Sequence, residues 1–186
     1  MLDRLKEKGV KSILDVGCGT GPLYEIIRNM KYPFFYKGTD YSKHFIECAK
    51  TLFPDTHFEE EDMRSLTEKD HSWDCVVMLH SLDHVKEYDQ VIKEAARVAQ
   101  RYVCIVLWRA FAPEVHINDR NMICKEPGDD PWEDTYLMQY SKEALETEFK
   151  KNGLIIDEVA EGEVLNSDHS KYNFMYLLRK ENAWTQ

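Results

Sequence analysis

The sequence predicts an α/β fold, a doubly wound and mostly parallel sheet with helices on both faces. Three observations carry that expectation. Short apolar runs alternate with helix-period stretches along most of the chain, as repeated strand–helix–strand units require. Two runs, Trp73 to Leu79 and Tyr102 to Trp108, are apolar almost throughout, the pattern of strands buried on both faces. The first strand, Ile13 to Val16, runs straight into three alternating glycines, Gly17, Gly19 and Gly21. In open α/β sheets the ligand crevice lies beyond the carboxyl ends of the strands, so the glycine turn marks the expected site.

The elements follow in order. Residues 2–8 read as a short helix ended by Gly9. After the glycine turn, Leu23, Ile26, Ile27 and Met30 form the stripe of an amphipathic helix. Phe34 to Thr39 is the second strand and ends at Asp40. Ser42 caps the next helix, with Phe45, Ile46, Ala49 and Phe53 on its buried face and Pro54-Asp55 as its stop. Thr56 to Glu59 is a weak third strand, followed by an acidic loop. After strand 4 (73–79), a long helix is marked by Val85, Tyr88, Val91, Ile92, Ala95 and Ala99, and strand 5 follows at 102–108. Ser141 caps a helix running through Phe149, closed by Asn152-Gly153. Leu154 to Ala160 and Tyr172 to Leu178 have no helix between them and read as an antiparallel hairpin.

The chain has 186 residues, 43% hydrophobic and 31% charged, suited to one soluble globular domain over 1–186. Its net charge of −10 repels phosphate backbones, and no Lys/Arg cluster offsets it, so nucleic acid is a poor partner. No apolar run approaches a membrane span, and the charged N-terminus does not read as a signal peptide. The five cysteines are scattered and form no Cys-x-x-Cys pair, as expected of reduced thiols in a cytoplasmic protein.

The glycine spacing separates ligand classes. A dinucleotide fingerprint reads Gly-x-Gly-x-x-Gly. Here the glycines alternate, Pro22 takes the place of that third glycine, and an acid, Asp15, precedes Gly17 by two. A glycine turn at a helix N-terminus offers N–H groups to an anionic part of a ligand. Asp15-Val16-Gly17-Cys18-Gly19-Thr20-Gly21 resembles the first motif of the class I S-adenosylmethionine-dependent methyltransferases. Five parallel strands, a helix and a closing hairpin likewise resemble the Rossmann-like seven-stranded sheet of that class, from about Leu5 to Arg179.

The resemblance implies S-adenosylmethionine as cofactor and assigns residues to it. Asp15, Gly17, Cys18, Gly19 and Gly21 are expected to bind it. Asp40 lies 23 positions beyond Gly17, close to the roughly twenty of the dinucleotide folds, and is expected on the ribose hydroxyls with Tyr41 beside it. Asp62 is expected to accept from the adenine amine, and Met63 to pack on the ring; Glu61 is the alternative acid if the register differs by one. Leu82-Asp83-His84-Val85 is similar to the Leu-x-His-Val run of small-molecule methyltransferases, which sets Leu79 and His80 beside the sulfonium. Ala99-Gln100-Arg101-Tyr102 departs from the Lys-Pro-Gly-Gly turn common before strand 5 in that family.

Methyl transfer is an in-line displacement on an electrophile already activated by charge, so the protein supplies position and an unprotonated acceptor. His80 is the candidate catalytic base, or else a polar lining of the pocket. His80 and His84 are four apart, but no third ligand accompanies them, and no metal is expected. Residues 109–140 are too long for an ordinary connector and read as a lid-like insertion over the acceptor. Trp108, Arg109, His116 and Trp132, with His169 from the last hairpin, are the candidate acceptor-binding residues; Tyr24 either joins them or packs. The expected function is a methyltransferase acting on a small-molecule acceptor. The alternatives are a protein-side-chain methyltransferase, or a cofactor-binding module that activates a protein partner.

Overall fold

The computed structural model describes residues 1–108, 111, 115–119, 136–162 and 173–181. The chain runs α1 (Leu2–Glu7), β1 (Ser12–Val16), α2 (Pro22–Asn29), β2 (Phe35–Asp40), α3 (Lys43–Leu52), β3 (His57–Glu60) and β4 (Trp73–Leu79). A single 3-10 turn (Leu82–His84) leads to α4 (Tyr88–Val98) and β5 (Ala99–Leu107). Then come β6 (His116–Asp119), β7 (Tyr136–Gln139), α5 (Lys142–Lys151), β8 (Leu154–Gly162) and β9 (Asn173–Lys180).

Seven strands form one sheet in the order β3-β2-β1-β4-β5-β9-β8. The pairs from β3 through β5 are parallel, while β9 runs antiparallel to both β5 and β8. The sheet is therefore mostly parallel with a terminal antiparallel hairpin, as expected from the sequence. Strand order reverses between β1 and β4, which puts the crevice beyond the ends of those two strands.

Alternation along the central strands explains the two covers. Ile13, Cys75, Val77, Cys104 and Val106 face one side and pack with Leu5, Leu23, Ile27, Ile46 and Ala49 from α1, α2 and α3. Leu14, Val76, Met78, Val103 and Ile105 face the other and pack with Val91, Ile92, Leu145 and Phe149 from α4 and α5. Both sets are buried, as the apolar strands require. No helix among the described residues is long and apolar enough to cross a membrane.

Two boundaries and the width of one helix face differ most from the sequence reading. The fourth helix starts at Tyr88, because residues 82–84 form the 3-10 turn and Val85 is extended. Ala99 belongs to β5, where it pairs with Trp73. In α2, Leu23 and Ile27 are buried while Ile26 and Met30 are exposed, so the apolar stripe is narrower than its spacing suggested. Ser42 does cap α3, its hydroxyl accepting the Phe45 N–H at 3.3 Å. The 109–140 segment carries a second, two-stranded antiparallel sheet, β6 with β7. Its return leg is anchored: Met138 and Tyr140 are buried in the α4–α5 cover, and the Tyr140 hydroxyl donates to the Leu82 carbonyl at 2.7 Å.

Candidate functional site

The turn after β1 is held from behind and open in front. Gly17, Gly19 and Gly21 all take positive φ (77°, 55° and 89°), the left-handed region that favours glycine. A Cβ on Gly17 would lie 2.2 Å from Ser81 Cβ, and one on Gly21 would lie 3.0–3.2 Å from Phe58 and Phe53. A Cβ on Gly19 would meet nothing within 4 Å. Gly19 is thus the face of the turn that a ligand can approach.

The backbone donors of this turn are mostly taken up within the protein. Gly17 and Cys18 N–H both donate to the Thr39 carbonyl, at 2.7 and 2.9 Å. Gly19 N–H donates to Asp40 Oδ2 at 2.8 Å, and Pro22, at the start of α2, has no N–H. The N–H groups of Gly17, Cys18 and Gly19 are therefore engaged within the protein, and donors for an anionic ligand group would come from the first turn of α2 instead.

The carboxylates are what remain. Asp40 closes β2, and its second oxygen accepts the Ser42 N–H at 2.8 Å. Two backbone donors therefore fix the carboxylate while each oxygen keeps a lone pair for a diol. Burial pushes the Asp40 carboxyl up from its ordinary range, partly countered by those two N–H groups. Asp15 is 1% exposed; its Oδ2 accepts the Tyr36 hydroxyl at 2.6 Å, and its Oδ1 is buried with no partner. Burial raises the Asp15 carboxyl to about 7, opposed by the Tyr36 hydrogen bond. Asp15 is therefore protonated more readily folded than unfolded. Its contribution to stability is full near pH 4 and is lost as pH rises through about 7. The ligand-free melting temperature should fall by several degrees over that interval, and Asp15→Asn should flatten the profile in a scanning calorimeter.

At the end of β3, Glu61 and Asp62 part company. Glu61 turns into an ion cluster: Lys37 reaches Glu59, Glu61 and Glu68 at 2.7, 3.0 and 2.5 Å, and Glu61 also accepts the Thr67 N–H. Asp62 is held by the Arg64 guanidinium at 2.7–3.0 Å, which lowers its carboxyl below the usual range. Met63 packs beneath the turn, its Cε 3.3 Å from the Cβ position of Gly17. Tyr41, 68% exposed, stands beside Asp40 at the rim.

At the end of β4, Leu79 packs on the α1–α3 side. His80 is non-glycine yet has φ 54°, and its N–H donates to the Val106 carbonyl at 2.8 Å. Backbone strain of this kind gathers at functional sites. The His80 ring lies 5.1 Å from that of Trp108, at the end of β5. Trp108 N–H donates to Asp83 Oδ2 at 3.0 Å.

Tyr24 is placed among Tyr36, Phe53 and Phe58, with ring centroids 5.1–6.2 Å away, so it packs. Cys18 is buried against Gly38, and burial pushes its thiol up. Arg109, Trp132, His169 and the side chain of His116 lie outside the described residues. Three residues escaped the sequence reading: Tyr36, Ser81 and Asp83. Ser81 wedges against Gly17 and donates to the Val16 carbonyl at 2.7 Å. Only the closeness of Ser81 to the end of an apolar strand hinted at it.

A methyltransferase-domain family model matches residues 14–105, from β1 through the glycine turn, Asp40 and His80 into β5. These residues form a methyltransferase domain. Its sequence is 31% identical over 94 residues to a ubiquinone/menaquinone biosynthesis C-methyltransferase of Campylobacter jejuni, covering 48% of this chain and 40% of that one. It is 29% identical over 106 residues to norajmaline N-methyltransferase of Rauvolfia serpentina, covering 54% and 36%. The chain thus spans about two fifths of the length of these relatives. The fold is similar to magnesium protoporphyrin IX methyltransferase of Synechocystis with bound S-adenosylmethionine, at TM-score 0.68 and 19% identity over 96% of this chain and 76% of that one. The methyltransferase domain meets such a cofactor with residues that suit it. The open face of Gly19, the fixed Asp40 carboxylate and the partnerless Asp15 oxygen fit a nucleoside with a cationic amino-acid arm and no phosphate.

Proposed function

We propose that this chain transfers a methyl group from S-adenosylmethionine to a small-molecule acceptor held at the ends of β4 and β5. The observation that carries the reading is Asp40, a carboxylate fixed by two backbone N–H groups beside the open face of Gly19. The cofactor, when bound, supplies the methyl group on a positively charged sulfur. The chain's own residues do the rest. Asp40 takes the ribose hydroxyls, with Tyr41 against the base. Asp62, kept ionised by Arg64, accepts from the adenine amine, and Met63 packs beside it. Asp15 faces the ammonium. Leu79 and His80 line the methyl.

His80 is the base in this reading. Its backbone is fixed by the N–H bond to Val106 and its ring lies beside Trp108, where an imidazole can take up the proton an oxygen, nitrogen or thiol acceptor gives up. Trp108, 40% exposed, offers a flat face to the acceptor. The chain acts as one domain in this reading, and the acceptor-binding roles expected of Arg109, Trp132, His169 and the side chain of His116 fall outside the described residues. The names of the relatives support a small-molecule acceptor, since they include a ubiquinone/menaquinone biosynthesis C-methyltransferase and norajmaline N-methyltransferase.

Calorimetric titration with S-adenosylmethionine, its demethylated product and NAD tests the cofactor, and labelled methyl transfer into a metabolite extract tests the acceptor class. Heat with the first two and none with NAD is expected. Heat without any transfer to small molecules would favour the partner-activating module. With an acceptor found, His80→Ala is expected to lower kcat by about 10²–10³ while cofactor Kd stays within about threefold. Full activity would remove His80 as the base.

A further inference from the structure

Asp15 is a buried acid with one oxygen engaged and one left over. Tyr36 donates to Oδ2 at 2.6 Å, and Oδ1 has no partner. Burying a carboxyl in this way is unfavourable unless an arriving group completes its hydrogen bonding. Its place in the sheet gives direction. Asp15 sits two residues before Gly17 on β1, in register with Gly38 of β2 and Val77 of β4. Neither neighbour in register has a polar side chain to offer Oδ1.

We propose that Tyr36 is a positioning residue, holding Asp15 so that its second oxygen receives the ammonium of the cofactor's amino-acid arm, and that this docking drives a proton off the Asp15 carboxyl into solvent. The inference deepens the cofactor reading and rests on it. The groups facing Asp15 are Tyr36 and Asp40 from β2 and Cys18 from the turn, with Tyr24 of α2 behind Tyr36. None of them is a cation. Burial and the negative Asp40 favour the neutral acid, and the Tyr36 hydrogen bond favours the anion, leaving Asp15 at about 7. An ammonium supplies the missing positive charge, so the bound state is the ionised one. No covalent bond is made; the proton goes to buffer, and an ion pair forms.

Titration calorimetry in two buffers of different ionisation heat counts that proton. The cofactor's own α-amine titrates near pH 8, so the measurement is made between pH 5.5 and 7. At pH 6, S-adenosylmethionine and its demethylated product should each release a large fraction of one proton, since both carry the ammonium. Methylthioadenosine, which lacks the amino-acid arm, should bind with no release. Cofactor Kd should weaken by up to about tenfold for the unit from pH 6.5 to 5.5. Asp15→Asn should bind weakly with a flat profile. Tyr36→Phe, checked for retained melting behaviour, should release a clearly larger share of the proton at pH 7 than the unaltered protein, because the anion loses its donor and the carboxyl titrates higher; a merely structural tyrosine would leave the release unchanged. Cofactor binding with no proton release, release with methylthioadenosine as well, or unchanged release at pH 7 in Tyr36→Phe would each overturn the inference. Absence of any cofactor binding would instead overturn the reading beneath it.

Discussion

Asp40→Ala is expected to raise the Kd for S-adenosylmethionine by about 10²–10³, the largest single effect on binding at this site. Two hydroxyls lose a charged acceptor, each such bond being worth about 1.5–3 kcal/mol. The loss goes further, because the same carboxylate holds the Gly19 and Ser42 N–H groups. Removing it leaves two backbone donors without an acceptor and loosens the turn the ligand must approach. Asp40→Asn separates the parts. It keeps one acceptor oxygen and the shape, so it should recover part of the turn's order while still losing at least about tenfold in affinity. Calorimetry on both variants checks this; an unchanged Kd in Asp40→Ala would mean the ribose lies elsewhere.

Gly17→Ala is expected to destabilise the fold by about 3–5 kcal/mol and to abolish measurable cofactor binding. Two costs add. The residue sits at φ 77°, a strain of about 1–3 kcal/mol for a side-chain-bearing residue. Its Cβ would also fall 2.2 Å from Ser81 Cβ, and overpacking of this kind costs about 1–3 kcal/mol. The second cost can be tested alone. Ser81→Gly removes the clashing atom, so the double variant should recover about 1–2 kcal/mol relative to Gly17→Ala, measured as a cycle by denaturant melts. Strict additivity would show that Ser81 is not what crowds Gly17. Gly19→Ala should bind better than Gly17→Ala, since a Cβ on Gly19 meets no neighbour and only the backbone strain remains.

The two apolar strands, β4 and β5, were readable because burial on both faces erases the alternation that would otherwise mark an exposed side. The glycine turn and Asp40 were readable because a strand end, a left-handed backbone and a carboxylate at a fixed spacing leave few alternatives. What the linear pattern hid was sideways. Tyr36 sits 21 residues from Asp15 and looks like one more apolar strand residue until the register of β1 with β2 brings them together. Ser81 is a small polar residue in a loop until β4 is laid beside β1, where it becomes the wedge behind Gly17. Glu61 and Asp62 could not be ranked from sequence, because the choice depends on which one Lys37 reaches across from β2. The stripe on α2 was read too wide for a related reason: spacing reports which residues share a helix face, and only the sheet beneath decides how much of that face is covered.

The two roots of the 109–140 segment are fastened to one short piece of chain. Trp108, just before it, donates its backbone N–H to Asp83, and Tyr140, at its end, donates its hydroxyl to Leu82. Neither fastening uses Asp15, Asp40 or the glycines. Apart from Phe111 and Met138, which pack into the core, the sequence between those anchors can diverge without touching Asp15, Asp40 or the glycines. A graft of the corresponding segment from a relative, made between Trp108 and Tyr140, is then a route to exchanging one acceptor for another.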